Sequence, residues 1–276
     1  MRMQPSGPLI LASKTDPASI NIAHSLIHHH GFKQQEARQD YQLYDSGDIL
    51  LAVVNKDCIY LQPQDIPWKA TTIIFASKHR SNTQTPALTV HATGNLTREA
   101  LYGGNPEEVS IVEPFRIQAA LIALKRGVEK AKLTIEVTME ATHHGPTNFP
   151  VPVCFIEIGS QPDQWDDKSL GEVAADAAMS AATSKPASGS AAVGIGGTHY
   201  PTKHTQVCQD GQYQIGHVVS KYAFDANVSD RVLSDTFKKT TGDCKTAVVD
   251  WKGLKGDLRR SILANLSSWN IEPVRV

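Results

Sequence analysis

Residues 193–205, VGIGGTHYPTKHT, empty a short apolar run into glycines at 194, 196 and 197 and then present His199, Tyr200 and His204. Glycine permits a backbone with positive φ and lets N–H groups approach a ligand, while imidazole serves a metal ion or a proton transfer. Neither common Gly-rich phosphate motif is present. The dinucleotide fingerprint needs a glycine where His199 stands, and the phosphate loop needs a Gly-Lys-Ser/Thr ending.

Three more segments share this grammar of an apolar run that delivers polar residues at its end: IIFASKHRS (73–81), LTVHATGN (88–95) and TMEATHHGP (138–146). If they are neighbouring strands, His79, His91, Glu140, His143, His144 and His199 meet in one cleft. Imidazole and carboxylate together are the ligand set of a borderline metal such as zinc, which activates water at neutral pH. The same groups without a metal could do general acid and base work, and spacing leaves both open. Glu140 and His143 are three apart, as in helical metal motifs, but Leu133, Ile135, Val137 and Met139 alternate with polar residues, which is a strand pattern. Adjacent strand residues face opposite ways. His143 and His144 therefore share a site only if the strand has already ended, as Gly145-Pro146 indicates.

Glu157 sits in the apolar run CFIEIGS and must be paired, metal-bound or at an exposed strand end, since burying a lone carboxylate is costly. Lys78 and Arg80 flank His79 and suit a phosphate or carboxylate, the arginine as a bidentate fork. His28, His29 and His30 precede Gly31 and are explained by capping at a helix C-terminus.

These residues need a scaffold. Residues 8–13 read as a buried strand, and Asp16-Pro17 supplies an N-cap and an N1 proline for a helix with Ile20, Ala23 and Ile27 on one face. Further strands are expected at 49–54, 72–76, 87–92, 133–140, 151–158, 191–195 and 246–251, with helices at 114–130, 163–183, 229–240 and 255–269. Residues 184–190 read as a mobile loop within one domain spanning 1–276. Strands alternating with helices predict an α/β fold with a mostly parallel central sheet covered by helices on both faces, and ligands bound beyond the carboxyl ends of the strands.

The chain has 276 residues, 41% of them hydrophobic, and a net charge of −1, enough for a sizeable core and without the basic field of a general nucleic-acid binder. From Lys221 onward ten Lys/Arg face seven Asp/Glu, a local excess able to touch an RNA backbone. The four cysteines form no CxxC pair, so reduced thiols are expected. The N-terminal apolar run is too short for a signal or a membrane span, which points to the cytoplasm.

Taken together, SKHRS (77–81), VHATGN (90–95), EATHHGP (140–146), FIEIGS (155–160), GIGGTHY (194–200) and GHVVSKYA (216–223) resemble the archaeal and plant type of D-aminoacyl-tRNA deacylase. The resemblance runs in order over residues 9–275. It implies a fold related to phosphorylases and peptidyl-tRNA hydrolases, and a zinc-dependent hydrolase that frees a D-amino acid from the terminal ribose of tRNA. This is chiral proofreading in translation quality control, by a monomer or small homo-oligomer. In plants such enzymes are associated with ethanol and aldehyde tolerance, through removal of N-modified D-aminoacyl adducts. Carried onto this chain, the resemblance implies that His143, His144 and His199, with Glu140 or Glu157, hold zinc, and that Tyr200 and N–H groups near Gly196 and Gly197 stabilise the oxyanion. Lys78, His79, Arg80, His91, Asn95, Gly196, Gly197, His217 and Lys221 would contact substrate. Thr198 stands where the family often has glycine. A nucleoside phosphorylase or peptidase, or a non-catalytic RNA-binding module, are the rival readings; clustered imidazoles speak against the last, which calls for Lys, Arg and aromatics.

Overall fold

The computed structural model describes residues 7–81, 84–186 and 189–276. Of the loop expected at 184–190, residues 187 and 188 lie outside the described residues.

The chain opens with β1 (Gly7–Ser13) and α1 (Pro17–His29), whose N-cap Asp16 accepts from the Ser19 N–H and whose first position is proline. A hairpin-like run of β2 (Lys33–Ala37), β3 (Tyr41–Asp45) and β4 (Leu50–Val54) follows, then a 3-10 turn at Cys58–Tyr60. Next come β5 (Ala70–His79), β6 (Ala87–His91), the short pair β7 (Gly94–Asn95) and β8 (Glu108–Val109), and α2 (Pro114–Ala131). β9 (Glu136–Met139) and β10 (Val153–Gly159) precede α3 (Pro162–Trp165) and α4 (Lys168–Thr183). The helix expected from 163 is thus two, because Asp167 caps a fresh start by accepting from Ser169 and Leu170. The C-terminal part holds β11 (Ala191–Ile195), α5 (Thr202–Gln209), β12 (Gln214–Val219), α6 (Lys221–Asp225), α7 (Asp230–Lys238), β13 (Thr246–Val249), α8 (Gly256–Ser268) and β14 (Glu272–Arg275).

The strands form two principal sheets instead of one. The larger has the order β2-β3-β4-β1-β5-β10-β6-β9, and the smaller, β12-β11-β13-β14, is wholly parallel. In the larger sheet β4, β1, β5 and β10 are parallel neighbours, and β6 runs against β10 while pairing in parallel with β9. One face of it carries Ile74, Ala76, Leu88, Val90, Ile156 and Ile158, buried with apolar residues of α1, α2 and α4. The opposite face carries Phe75 and Phe155 under Phe149 and the turn around Ile59, with no long helix of the described residues on it. The smaller sheet is flanked by α2 and α5 on one side and by α7 and α8 on the other.

The reversal of β6 decides where the polar residues go. On the face away from the long helices, Phe75, Ser77 and His79 of β5 stand opposite Phe155, Glu157 and Gly159 of β10. Phe155 and Glu157 in turn stand opposite His91 and Thr89 of β6. The carboxyl ends of β5 and β6 point to opposite edges, so His79 and His91 converge across the sheet face and not beyond one edge. The residues that follow the carboxyl ends of the parallel strands β4, β5 and β10, among them Asp57, Arg80 and Gln161, line one cavity, which is the placement expected for a ligand site.

Candidate active site

Four backbone features bring the sequence-distant residues together. His79 ends β5, His91 ends β6, Glu157 lies in β10, and the segment after β9 crosses between the two sheets. That crossing is pinned by backbone hydrogen bonds: Glu140 N–H donates to Val90 O (3.2 Å), Ala141 to His199 O (2.8 Å) and Thr142 to Val218 O (2.9 Å). His143 keeps a parallel bridge with Thr93, and His144 then turns into the left-handed region at φ 42°. Only such a break lets consecutive side chains face one site, and their rings stand 4.3 Å apart. A strained non-glycine backbone is tolerated where the surroundings fix it, which is common at functional sites.

Glu140 is the hub. Its Oε2 lies 2.7 Å from His199 Nε2 and 3.6 Å from His143 Nε2, and its Oε1 lies 3.1 Å from His79 Nδ1. Glu157 Oε2 lies 3.5 Å from His79 Nδ1 and 3.7 Å from His91 Nε2. Glu140, Glu157, His79 and His91 are all buried. Gly159 makes room for this arrangement: a Cβ there would stand 2.5 Å from the Cβ of His79. His79 Nε2 meets the Tyr200 hydroxyl at 2.7 Å, and Trp165 Nε1 donates to the His79 carbonyl at 3.2 Å.

Two buried carboxylates require positive charge nearby. Burial works against protonation of His79, but Glu140 and Glu157 overcome it and raise its pKa to about 11. Burial likewise opposes ionisation of the two carboxyls, yet the histidines hold Glu140 well below the carboxylate range and bring Glu157 to about 2. His143 and His144 behave oppositely. Burial, together with neighbouring imidazoles, pushes His143 well down and His144 to about 4, so both are neutral at pH 7.

Neutral imidazoles beside ionised carboxylates are metal ligands in waiting. Among the described residues three overlapping groups could hold an ion: His91, His143 and His144; Glu140, His143 and His199; His79, Glu140 and Glu157. Within each group the ligand atoms lie within 4.8 Å of one another. Two buried atoms here, Glu140 Oε1 and His91 Nε2, have no hydrogen-bond partner, because their approaches to His79 and Glu157 are ion-pair contacts without hydrogen-bond geometry. Orphaned buried ligand atoms of this kind fit a cation.

His79, His143, His144 and Glu157 of the cluster line one side of a cavity of about 670 Å³, within the size range of small-molecule sites. Its other walls include Asp57, Ile59, Lys78, Arg80, Tyr102, Gln161 and Trp165. Lys78 Nζ is held between Asp16 (3.6 Å) and Asp57 (3.8 Å), and the Arg80 guanidinium lies 5.2 Å from the Trp165 ring centroid.

A model of the family described as D-aminoacyl-tRNA deacylase matches residues 67–274, most of the chain. The chain belongs to this family. Relatives named D-aminoacyl-tRNA deacylase include those of Thermococcus kodakarensis, 35% identical over 97% of this chain and 99% of that one, and of Pyrococcus horikoshii, 36% identical over 91% and 93%. A crystal structure of a conserved protein of unknown function, AF0625, superposes with a TM-score of 0.88 at 27% identity, covering 99% of this chain and 96% of that one.

Measured against the family-derived expectations, the structure brings together Glu140, His143, His144, His199, Tyr200, Glu157, His79 and His91, with Lys78 and Arg80 on the same cavity. Five others stand apart. Asn95 is buried and donates to Gly103 O and Asn105 O, fixing the loop beside the cavity. His217 is buried between Thr142 Oγ1 and Ser110 O. Gly196 and Gly197 do take positive φ, but the Gly196 N–H donates to Val219 O, and the turn packs on Leu254 and Asp250. That N–H is therefore spent and cannot serve an oxyanion. Lys221 donates its backbone N–H to Gly197 O, and its ammonium lies over Tyr222. His204, paired with His199 in the sequence reading, is buried in α5 and bonded through Nε2 to Val248 O.

Sequence reasoning missed Trp165, Tyr102, Ile59 and Asp57, which carry no motif. Asp16 was legible only as a helix cap. Its Oδ1 does cap α1, while Oδ2 accepts from the Lys78 N–H at 2.8 Å, tying the helix start to the site strand.

Proposed function

We propose that this chain hydrolyses the ester joining a D-amino acid to the terminal ribose of tRNA, releasing both, at the Glu140–histidine cluster. The observation that carries the reading is the convergence of EATHHGP, GGTHY, SKHRS, VHATGN and FIEIGS on one His/Glu cluster, whose His79, His143, His144 and Glu157 open on a cavity, in a chain of this family. The rival phosphorylase and RNA-module readings have no comparable support.

The donor set of imidazole and carboxylate suits zinc, with Glu140, His143 and His199, and His91 and His144 beside them, as its ligands. When bound, such an ion supplies Lewis-acid activation of water and of the ester carbonyl. The chain's own residues do the rest. Glu140, ionised, fixes the His199 ring through the 2.7 Å contact, while the His143 ring is set by its Nδ1 contact with Ala141 O at 2.8 Å, so the donor atoms are presented together. His79, protonated on both nitrogens, donates through Nε2 to the Tyr200 hydroxyl. The Tyr200 proton is then free to point at the developing oxyanion. Lys78, braced by two carboxylates, and Arg80, spread over Trp165, offer cations to the phosphate and ribose end of the substrate.

Esters are reactive, so the demanding task is to refuse L-aminoacyl-tRNA. A wrong enantiomer carries the same groups in another order, and only the shape of the cavity wall can sort them. The experiment is release of amino acid from D- and L-aminoacyl-tRNA side by side, with and without chelator: hydrolysis of the D form, lost with chelator and restored by zinc, is expected.

A further inference from the structure

Among the described residues the exposed large apolar side chains are Tyr60 (45%), Leu101 (74%), Tyr102 (64%) and Tyr222. The first three belong to two neighbouring segments at the cavity mouth. Gly103 packs against the carbonyl of Ile59 so tightly that a Cβ would lie 1.9 Å from it, and 3.4 Å from the Tyr60 ring. Ile59 and Tyr102 line the cavity itself. The loop is anchored to the site from below, because Gly145 N–H donates to Tyr102 O at 3.0 Å and Asn95 donates to Gly103 O at 2.8 Å. A fixed backbone thus holds aromatic and aliphatic side chains out in water beside the reaction site, an arrangement that usually marks an interaction surface.

We propose that Tyr60, Leu101 and Tyr102 form a stacking rim for the unpaired nucleotides preceding the ester-bearing ribose of the substrate RNA. This rests on the deacylase reading above. An ester at the end of a single strand reaches a buried cluster only if the preceding bases leave their stack. Aromatic faces take unstacked bases without regard to sequence. The rim is continuous with the cavity through Tyr102, and the exposed Arg80, which lines the same cavity, supplies a cation for the intervening phosphates. An enzyme serving many tRNAs needs such sequence-tolerant contact.

The test compares wild type with the double variant Tyr60→Ala/Leu101→Ala on two substrates: D-tyrosyl-tRNA and the D-tyrosyl ester of adenosine, which lacks the preceding nucleotides. Thermal melts establish that the variant is folded. The rim predicts that kcat/KM on tRNA falls about tenfold, chiefly through KM, while the rate on the adenosine ester is unchanged. Tyr102→Phe, which keeps the ring, should retain the tRNA rate and Tyr102→Ala should not. Equal rates of wild type and double variant on tRNA, or equal losses on both substrates, would overturn the rim while leaving the deacylase reading intact. Self-association of wild type that the double variant loses, with tRNA kinetics unaffected, would assign the patch to a second copy of the chain instead. Failure of wild type to cleave either ester would remove both readings.

Discussion

Glu140 Oε2 lies 2.7 Å from His199 Nε2, a contact between two residues 59 positions apart that joins the larger sheet's crossing segment to the loop after β11 of the smaller one. The same carboxylate reaches His143 and His79. One carboxylate therefore stands against three imidazoles. Glu140→Gln keeps the shape and removes the charge, and we expect kcat to fall by at least about a hundredfold. Steady-state deacylation measures this; a variant within a few-fold of wild type would strip Glu140 of its role.

His143 and His144 are part-exposed cavity residues whose imidazoles are neutral at pH 7 because burial, and then neighbouring imidazoles (His144 and His91 for His143, His91 for His144), disfavour the proton. His143→Ala and His144→Ala should each abolish measurable turnover and reduce zinc content after dialysis, without lowering the melting temperature by more than a few degrees. Full metal occupancy with no activity would instead make them substrate-orienting groups.

Gly159→Ala is a sharper probe of the scaffold. The added Cβ would meet the Cβ, ring and carbonyl of His79, all closer than 3 Å, and none of these is the free end of a flexible chain. Overpacking of this kind costs about 1–3 kcal/mol. Denaturant unfolding should show that loss, and the shift of His79 away from Glu140 and Tyr200 should lower kcat as well. A variant of native stability would mean that β10 yields more readily than its central place in the sheet suggests.

His217 sets an acid limit to stability. Its Nε2–H donates to Ser110 O and its Nδ1 accepts from the Thr142 hydroxyl, which itself accepts the Val218 N–H. Burial holds its pKa at about 4, against 6.5 for a free imidazole. Between these values the unfolded chain binds the proton and the folded chain does not. The stabilisation is thus present above pH 6.5 and is lost as pH falls towards 4, by about 3 kcal/mol from this residue. The unfolding free energy should therefore fall further between pH 7 and pH 5 in wild type than in His217→Gln. Equal slopes would contradict the assignment.

Much of this site was legible because each contributing strand is a short apolar run that ends in residues no core would choose: SKH at 77–79, VH at 90–91, EATHH at 140–144. Hydrophobic periodicity located β1, β5, β6, β10, β11 and α2 for the same reason. It could not show that β6 opposes β10, since strand direction is set by long-range pairing that leaves no local trace. β2, KQQEA, is nearly all exposed and polar, so it carries no apolar alternation to read. β12 was legible only as part of a motif, and without it and β14 the second sheet stayed hidden. Tyr102 and Trp165 reach the cavity through tertiary packing alone.

The most direct test is single-turnover release of amino acid from D-tyrosyl-tRNA and L-tyrosyl-tRNA by wild type and Glu140→Gln, each as purified, after chelation and after zinc is restored. The account predicts rapid hydrolysis of the D form only, abolished by chelator, recovered with zinc, and near background for Glu140→Gln throughout. Hydrolysis of both enantiomers alike, or D-specific hydrolysis that Glu140→Gln retains, would contradict it.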